Sequence, residues 1–81
     1  MPHHVYMMAN RWNTVLYIGM TDKLARRAWQ HRTGYYPDAF TWTYQCSKMV
    51  WFEEHADGAS AATRERQLKE WKREWKERLV N

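Results

Sequence analysis

Five polar residues stand where the sequence pattern otherwise places apolar side chains: Tyr6, Tyr17, Arg27, His31 and Glu65. Each alone has a structural explanation, because strand tyrosines are often half-buried, an arginine stem covers apolar surface, and Glu65 can pair with Arg27 or Arg64. Together they provide a carboxylate for a hard divalent cation, a guanidinium for a phosphate, and two phenols and an imidazole for proton transfer. This set of groups suits the hydrolysis of a phosphodiester bond by water.

The two tyrosines lie in short apolar segments that predict β-strands. Residues 4–8 (HVYMM) and 14–19 (TVLYIG) are rich in strand-favouring types, and the intervening ANRWN is compatible with a turn. We therefore expect an antiparallel hairpin. Because side chains alternate along a strand, Tyr6 and Tyr17 can lie on neighbouring strands and point the same way. Gly19 suits a place where another group approaches the backbone closely.

Arg27 and His31 lie in a segment with helical spacing. Thr21 is a suitable N-cap for a helix over residues 23–32 (KLARRAWQHR), and Gly34 is a suitable end. At about 100° per residue, one side of this helix comprises four residues: Leu24, Arg27, Ala28 and His31. The outward side comprises three polar residues: Lys23, Arg26 and Gln30.

The second half of the chain predicts a loop, a third strand and a long helix. Residues 35–47 have no helical period, residues 48–54 (KMVWFEE) have the composition of a strand, and Asp57 or Ser60 can cap a helix that runs to about Val80. The apolar stripe of that helix comprises five residues: Ala61, Leu68, Trp71, Trp75 and Leu79. Glu65 fills a gap in the stripe. A straight helix of about twenty residues would overhang so small a domain, so it can break near Trp71 and Lys72.

The order of these elements is typical of a single small α+β domain over residues 1–81. Its formal net charge of +4 and pI near 9.5 favour polyanionic partners without proving nucleic-acid binding. A lone cysteine, Cys46, excludes an intrachain disulfide and a cysteine-rich zinc site. No apolar run is long enough to cross a membrane, and the N-terminus lacks the pattern of a signal peptide. We therefore expect a cytoplasmic protein without membrane association.

Several short motifs occur in a fixed order along nearly the whole chain: Val5-Tyr6, Tyr17-Ile18-Gly19, Leu24-Ala25-Arg26-Arg27 with His31, Phe40-Thr41, Val50-Trp51-Phe52-Glu53, and RERQLKEW at residues 64–71. In these motifs and their order the sequence resembles the GIY-YIG nuclease family, in particular its small single-domain members of the UPF0213 type. The resemblance implies a three-stranded antiparallel sheet flanked by helices in the order β-β-α-β-α-α. The chain departs from the family in having His4-Val5-Tyr6 in place of Gly-Ile-Tyr, and Met20 where some catalytic relatives have lysine.

The same resemblance implies a metal-dependent phosphodiesterase site on one face of the sheet. Tyr6 and Tyr17 would be the two motif tyrosines, and Arg27 would stabilise charge on the phosphate. Glu65 would bind the divalent metal, Mg²⁺ or Mn²⁺, and His31 would assist a tyrosine or bind a phosphate. Contacts to nucleic acid are expected from five further residues: Arg26, Arg32, Trp42, Lys69 and Lys72.

Three functional hypotheses follow. The leading one is a divalent-metal-dependent DNA endonuclease that is structure-selective or weakly sequence-specific, with RNA as an open alternative substrate. Because one small domain leaves little room for target recognition, specificity could come from a homo-oligomer or a targeting partner. The second hypothesis is a nucleic-acid-binding module of the same fold with weak or no catalysis. The third is a structural or protein-interaction domain that uses its tryptophan-rich last helix.

Overall fold

The computed structural model describes residues 2–33 and 46–80, with the backbone alone for residues 31–33. Within these ranges an antiparallel sheet has the strand order β2-β1-β3, in which β1 is His3–Ala9, β2 is Leu16–Thr21 and β3 is Lys48–His55. Helix α1 (Leu24–Thr33) follows β2, and helices α2 (Gly58–Glu70) and α3 (Arg73–Val80) follow β3. The predicted α+β class and the predicted three-stranded antiparallel sheet, in the order β-β-α-β-α-α, are confirmed.

One side of the sheet, which we call the helix face, is covered by α2. Val5 and Met7 of β1 and Ile18 of β2 form a core with Ala61 and Leu68 of α2. Four of these five side chains are fully buried, and Ile18 is nearly so. The seven-residue spacing of the two α2 residues returns them to the same helix face after two turns, so their burial fixes the side of α2 that meets the sheet.

The opposite side, which we call the tyrosine face, holds a second apolar cluster. Tyr6 and Met8 of β1 are buried there with Cys46, and Tyr17 of β2 packs against them. Leu24, the first residue of α1, joins the same cluster. Because β1 is the central strand and both of its faces are covered, it is a continuous apolar run and not an alternating one.

A charged network joins α2 to the neighbouring strand β3. Glu53 lies opposite Val5 in the strand register and therefore on the helix face. Its Oε1 accepts a hydrogen bond from Arg64 Nε at 3.1 Å and lies 2.8 Å from His55 Nε2. The other ring nitrogen of His55, Nδ1, lies 2.8 Å from Ser60 Oγ. This network fixes the N-terminal half of α2 against the sheet.

The boundaries of β2 and α1 differ from those expected from the sequence. Strand β2 continues past Gly19 to Thr21, because residues 20 and 21 pair with Val5 and His4 of β1. Thr21 Oγ1 accepts a hydrogen bond from the backbone N–H of Lys23 at 3.0 Å, just before α1 begins. The predicted outward position of Gln30 is wrong: this residue is only 8% exposed.

The long C-terminal helix is broken at the position that the sequence allowed. Asp57 caps α2, since its Oδ1 accepts from Ser60 N at 2.8 Å, and α2 ends before Trp71, whose φ of −67° and ψ of 148° are extended. Leu79 of α3 packs against the core on the helix face, whereas Trp75 is 42% exposed and leaves the predicted apolar stripe. Among the described residues, no helix is both long and apolar enough to cross a membrane.

Strand β3 carries one extra residue relative to β1. Met7 pairs with Trp51 and the next residue, Met8, pairs with Met49, so Val50 has no partner in the register. Val50 and Trp51 both pack against the core on the helix face. This is the arrangement of a β-bulge, in which two residues of one strand oppose one residue of the other.

Candidate active site

The two tyrosines of the predicted site lie together on the tyrosine face. Tyr6 is opposite Gly19 in the strand register, and Tyr17 is opposite Met8, so the two residues come from adjacent strands and the same side of the sheet. Tyr6 is 3% exposed and its phenol lies over Gly19, whereas Tyr17 on the edge strand is partly exposed. Tyr17 is therefore the tyrosine more open to a substrate.

A cationic cleft, which we call the Arg27 cleft, opens where β2 passes into α1. It has a volume of about 280 Å³ and is lined by six residues: Thr21, Asp22, Lys23, Arg26, Arg27 and Gln30. Thr21 is two residues beyond Gly19, the register partner of Tyr6, and four residues beyond Tyr17, so the cleft lies toward the Tyr6 end of the tyrosine pair. Three cationic side chains against one carboxylate, together with the start of a helix, make an environment that attracts anions.

The side chains of the Arg27 cleft differ in exposure. Lys23 and Arg26 are exposed, whereas Arg27 is partly buried and Gln30 is buried. A partly buried guanidinium acts in a lower effective dielectric than a surface cation, so its attraction for a phosphate is stronger. Arg27 is also suited to bidentate contact with two phosphate oxygens, whereas Lys23 offers a point charge.

Glu65, the predicted metal ligand, lies on α2 and hence on the helix that covers the helix face. Its position between Ala61 and Leu68 turns it toward the sheet, and its side chain is 22% exposed. Lys69 Nζ lies 3.3 Å from Glu65 Oε1, one helical turn further on. The tyrosines are on the other side of the sheet, so Glu65 would approach them around the edge strand β2, which α2 also contacts.

The donor chemistry of Glu65 fits a hard divalent cation. Magnesium takes oxygen ligands, keeps several waters and is commonly bound through one or two carboxylates plus phosphate oxygens of the substrate. In the described part of the chain, no group of three or more His, Cys, Asp and Glu side chains could hold a metal. A site built on the single carboxylate of Glu65 is therefore one that the substrate must help to complete.

The remaining predicted residues are placed unequally. Arg26 lines the Arg27 cleft, Lys69 pairs with Glu65, and Lys72 Nζ lies 5.8 Å from the centre of the Trp75 ring. His31 and Arg32 lie on α1, in its last turn, where only the backbone is described. Trp42 lies outside the described residues, so its predicted role stays a prediction.

Sequence reasoning missed two parts of this region. Lys23 and Gln30 line the Arg27 cleft, although helical periodicity placed both on the outward side. The signal that could have identified Lys23 is its position directly before α1, where its charge lies close to the free backbone N–H groups of the first helical turn. The Glu53–His55–Arg64 network was also missed, because its members come from two elements whose packing depends on strand register.

The comparisons with known proteins agree with this fold. A family model described as the GIY-YIG catalytic domain matches residues 2–78. The solution NMR structure of a UPF0213 protein from Bacillus halodurans is similar at 25% sequence identity, with a TM-score of 0.58 over 99% of this chain and 83% of that one. No curated protein matches the chain. The family match extends over both strands that carry the tyrosines, α1 and all of α2.

Proposed function

This chain belongs to the GIY-YIG family, a family of nucleases, and we propose that it is a divalent-metal-dependent endonuclease that hydrolyses phosphodiester bonds of DNA. The enzyme selects its cleavage sites by DNA structure or by a weak preference for sequence. The observation that carries the proposal is the Arg27 cleft, a partly buried guanidinium among exposed cations beside the strand that bears Tyr17. We further propose that it acts in the cytoplasm, as a homo-oligomer or with a targeting partner where specificity requires one.

Arg27 acts on the phosphate in this proposal. Charge accumulates on the phosphoryl oxygens as the attacking oxygen approaches, and a preorganised guanidinium stabilises that charge more than the charge of the ground state. Lys23 and Arg26 hold the adjacent backbone phosphates, which positions the scissile bond in the cleft. Arg32, Trp42, Lys69 and Lys72 are proposed to extend the contact surface along the DNA.

Proton transfer is assigned to the tyrosine pair with His31. A phenol has an ordinary pKa near 10, so it accepts a proton from water at neutral pH only where nearby positive charge favours the phenolate. Arg27 provides such charge at the end of β2. Tyr17 is the better candidate for direct contact with the attacking water because it is partly exposed, while the buried Tyr6 positions it.

Glu65 would hold the Mg²⁺ or Mn²⁺ ion. When bound, the ion supplies positive charge that polarises the phosphate and neutralises charge on the leaving oxygen. Lys69 must release Glu65 Oε1, or share it, for the carboxylate to serve as a ligand. Ion pairs of this kind contribute little to stability, so replacing Lys69 by the ion at Glu65 costs little free energy.

The test is a nicking assay on supercoiled and branched DNA with Mg²⁺ or Mn²⁺. We expect Arg27→Ala and Glu65→Gln each to lower the cleavage rate by about 100-fold or more, the usual loss when one preorganised charge is removed. Arg66→Ala and Glu70→Gln are matched controls, because both residues are exposed on α2, and should keep near-wild-type rates. Equal losses in the controls, or wild-type protein that leaves every substrate intact, would contradict the proposal.

A binding module without cleavage is the second candidate. The observation that favours it is the location of Glu65 on the helix that covers the opposite side of the sheet from Tyr6, with its carboxylate already paired to Lys69. This candidate predicts that wild-type protein binds DNA in a salt-dependent manner but does not nick it under any divalent-metal condition. The same nicking assay, run beside a binding measurement, separates the two candidates.

A further inference from the structure

A second cleft, which we call the tryptophan groove, lies at the junction of α2 and α3. It has a volume of about 380 Å³ and is lined by Trp71, Trp75, Arg78 and Leu79. Its size is within the range of pockets that bind small ligands or single side groups of larger ones. None of its lining residues belongs to the Arg27 cleft or to the tyrosine pair.

The helix break shapes the groove. Trp71 has left the α-helical conformation, although its backbone N–H still donates to Leu68 O at 3.1 Å. The rings of Trp71 and Trp75 meet edge to face, with centroids 6.0 Å apart and an interplanar angle of 86°. Two indoles at right angles form a corner, which presents one ring face beside a wall made by the other.

Two walls of the groove, Trp71 and Leu79, pack against the core. Arg64 Cζ lies 5.1 Å from the centre of the Trp71 ring, and Glu53 and Gln67 hold the guanidinium at 3.1 and 2.8 Å. Leu79 packs against the core on the helix face. A preformed groove loses little conformational entropy when a ligand binds, so small contact areas suffice for measurable affinity.

The charge around the groove selects an anionic ligand. Lys72 lies over the Trp75 ring and Arg78 lines the groove, and among the described residues neither has an ion-pair partner. By contrast, the neighbouring cations Lys69 and Arg73 are both paired with glutamates one turn away. Trp75 is 42% exposed between the two unpaired cations. Two exposed cations on either side of an exposed indole favour an anionic partner over a neutral one.

We propose that the tryptophan groove binds an unpaired segment of nucleic acid, with a base stacked on Trp75 in the place now taken by the Lys72 ammonium, and with the flanking phosphates on Lys72 and Arg78. Aromatic rings beside cations form this kind of platform, because every base has a π-face and every nucleotide a phosphate. The inference rests on the proposed function in taking nucleic acid as the ligand. It adds that the preferred substrate has a single-stranded flank or branch next to the duplex.

The test is the fluorescence anisotropy of labelled 20-nucleotide thymidylate, measured in EDTA so that no cleavage occurs. We expect Trp75→Leu to weaken binding by about 5- to 150-fold, the range for loss of one stacked base. The matched control is Trp12→Leu, since Trp12 is 71% exposed with Arg11 stacked on it but lies outside the groove. That variant should bind within twofold of wild type.

Two further arms separate stacking from simple charge attraction. An abasic strand of equal length should bind wild type about as weakly as thymidylate binds Trp75→Leu, because it offers phosphates without bases. The double variant Lys72→Gln/Arg78→Gln should reduce the slope of log affinity against log salt concentration by about 1.4, as expected for two lost phosphate contacts on a single strand. This variant also decides the question if Trp75→Leu fails to fold in circular dichroism melts.

Several outcomes would overturn the inference. They are equal losses in Trp75→Leu and Trp12→Leu, equal affinity of wild type for thymidylate and the abasic strand, or self-association that Trp75→Leu abolishes without changing oligonucleotide binding. The last would identify a second copy of the chain as the occupant. Because binding is measured without metal, a protein that does not cleave DNA would contradict the proposed function but not this inference. If instead Trp75→Leu cleaves branched DNA as fast as wild type, the inference fails and the proposed function stands.

Discussion

The phenol of Tyr6 occupies the space that a side chain at Gly19 would need. A Cβ built on Gly19 would lie 2.6 Å from Tyr6 Oη and 2.7 Å from Tyr6 Cζ, both closer than van der Waals contact permits. The two residues are direct partners in the β1–β2 register, and Tyr6 is buried. The glycine of the YIG motif therefore has a steric role: it allows the first tyrosine to lie flat across the second strand.

Gly19→Ala should displace the Tyr6 ring and disturb the tyrosine pair. We expect a loss of about 1–3 kcal/mol in the free energy of unfolding, the usual cost of overpacking, together with a fall in cleavage rate at unchanged DNA affinity. Gly58→Ala is the control, because a Cβ there would meet His3 Nε2 at 3.3 Å, a contact that a small shift relieves. Urea unfolding and the nicking assay measure both effects, and equal behaviour of the two variants would contradict the steric role.

Lys69→Gln should make the carboxylate of Glu65 more available to a divalent cation. Lys69 is the cation nearest to Glu65 Oε1 in the described structure, so its removal eliminates a competing charge. We expect stronger paramagnetic broadening of the Glu65 side-chain NMR signals at a given Mn²⁺ concentration, without DNA. Arg73→Gln breaks the comparable pair with Glu77 and should leave the Glu65 signals unchanged. No difference between the two variants would argue against metal binding at Glu65.

Asn10 organises the turn between β1 and β2. Its Oδ1 accepts from the backbone N–H groups of Thr14 and Val15 at 2.8 and 3.1 Å, and its Nδ2 donates to Thr14 Oγ1 at 2.7 Å. Asn10→Ala should lower the free energy of unfolding by about 1–3 kcal/mol, since the backbone N–H groups of Thr14 and Val15 lose their acceptor. Asn13→Gly is the control, because Asn13 has a φ of 57° that glycine adopts freely, and it should change stability by less than about 1 kcal/mol.

Cys46 should make stability depend on alkaline pH. Burial raises the pKa of its thiol above the ordinary value of 9.0, so the unfolded chain loses this proton at a lower pH than the folded chain. The contribution of the neutral thiol is complete below pH 9.0 and is lost as the pH rises to and through the folded pKa, with a slope of at most about 1.4 kcal/mol per pH unit. Urea unfolding of wild type and Cys46→Ala at pH 8 and pH 10 measures it; parallel losses in both proteins would contradict the assignment.

Local sequence rules predicted the parts of the site that depend on one element. Alternation within each strand allowed Tyr6 and Tyr17 to share a face, which the β1–β2 register then decided, and helical spacing put Arg27 on the same side of α1 as Leu24. Both rules need only the conformation of a short segment. The break after α2 could be predicted for a similar reason, since a straight helix of about twenty residues is longer than the small sheet can cover.

The relation between Glu65 and the tyrosines depends on which face of the sheet α2 covers, and local rules do not determine this. The stripe of Ala61, Glu65 and Leu68 indicates a packed side of a helix but not the strand residues it meets. That choice follows from Val5, Met7 and Ile18, whose burial with α2 is a long-range outcome of the fold. Gln30 was misplaced for the same reason, because nearby tertiary packing decides whether a polar helix residue is exposed.

The extra residue at Val50 gives β3 two segments with independent side-chain phase. Residues 51–55 alternate in step with one half of β1, and residues 48 and 49 alternate in step with the other half. In an unbulged strand in phase with Trp51, Val50 would oppose Met8 on the tyrosine face and Met49 would turn to the helix face; deleting Val50 should instead restore regular alternation and keep Met49 opposite Met8. The bulge therefore lets consecutive apolar residues of β3 face different sides of the sheet: Val50 and Trp51 pack into the core beneath α2, and Met49 packs into the tyrosine cluster.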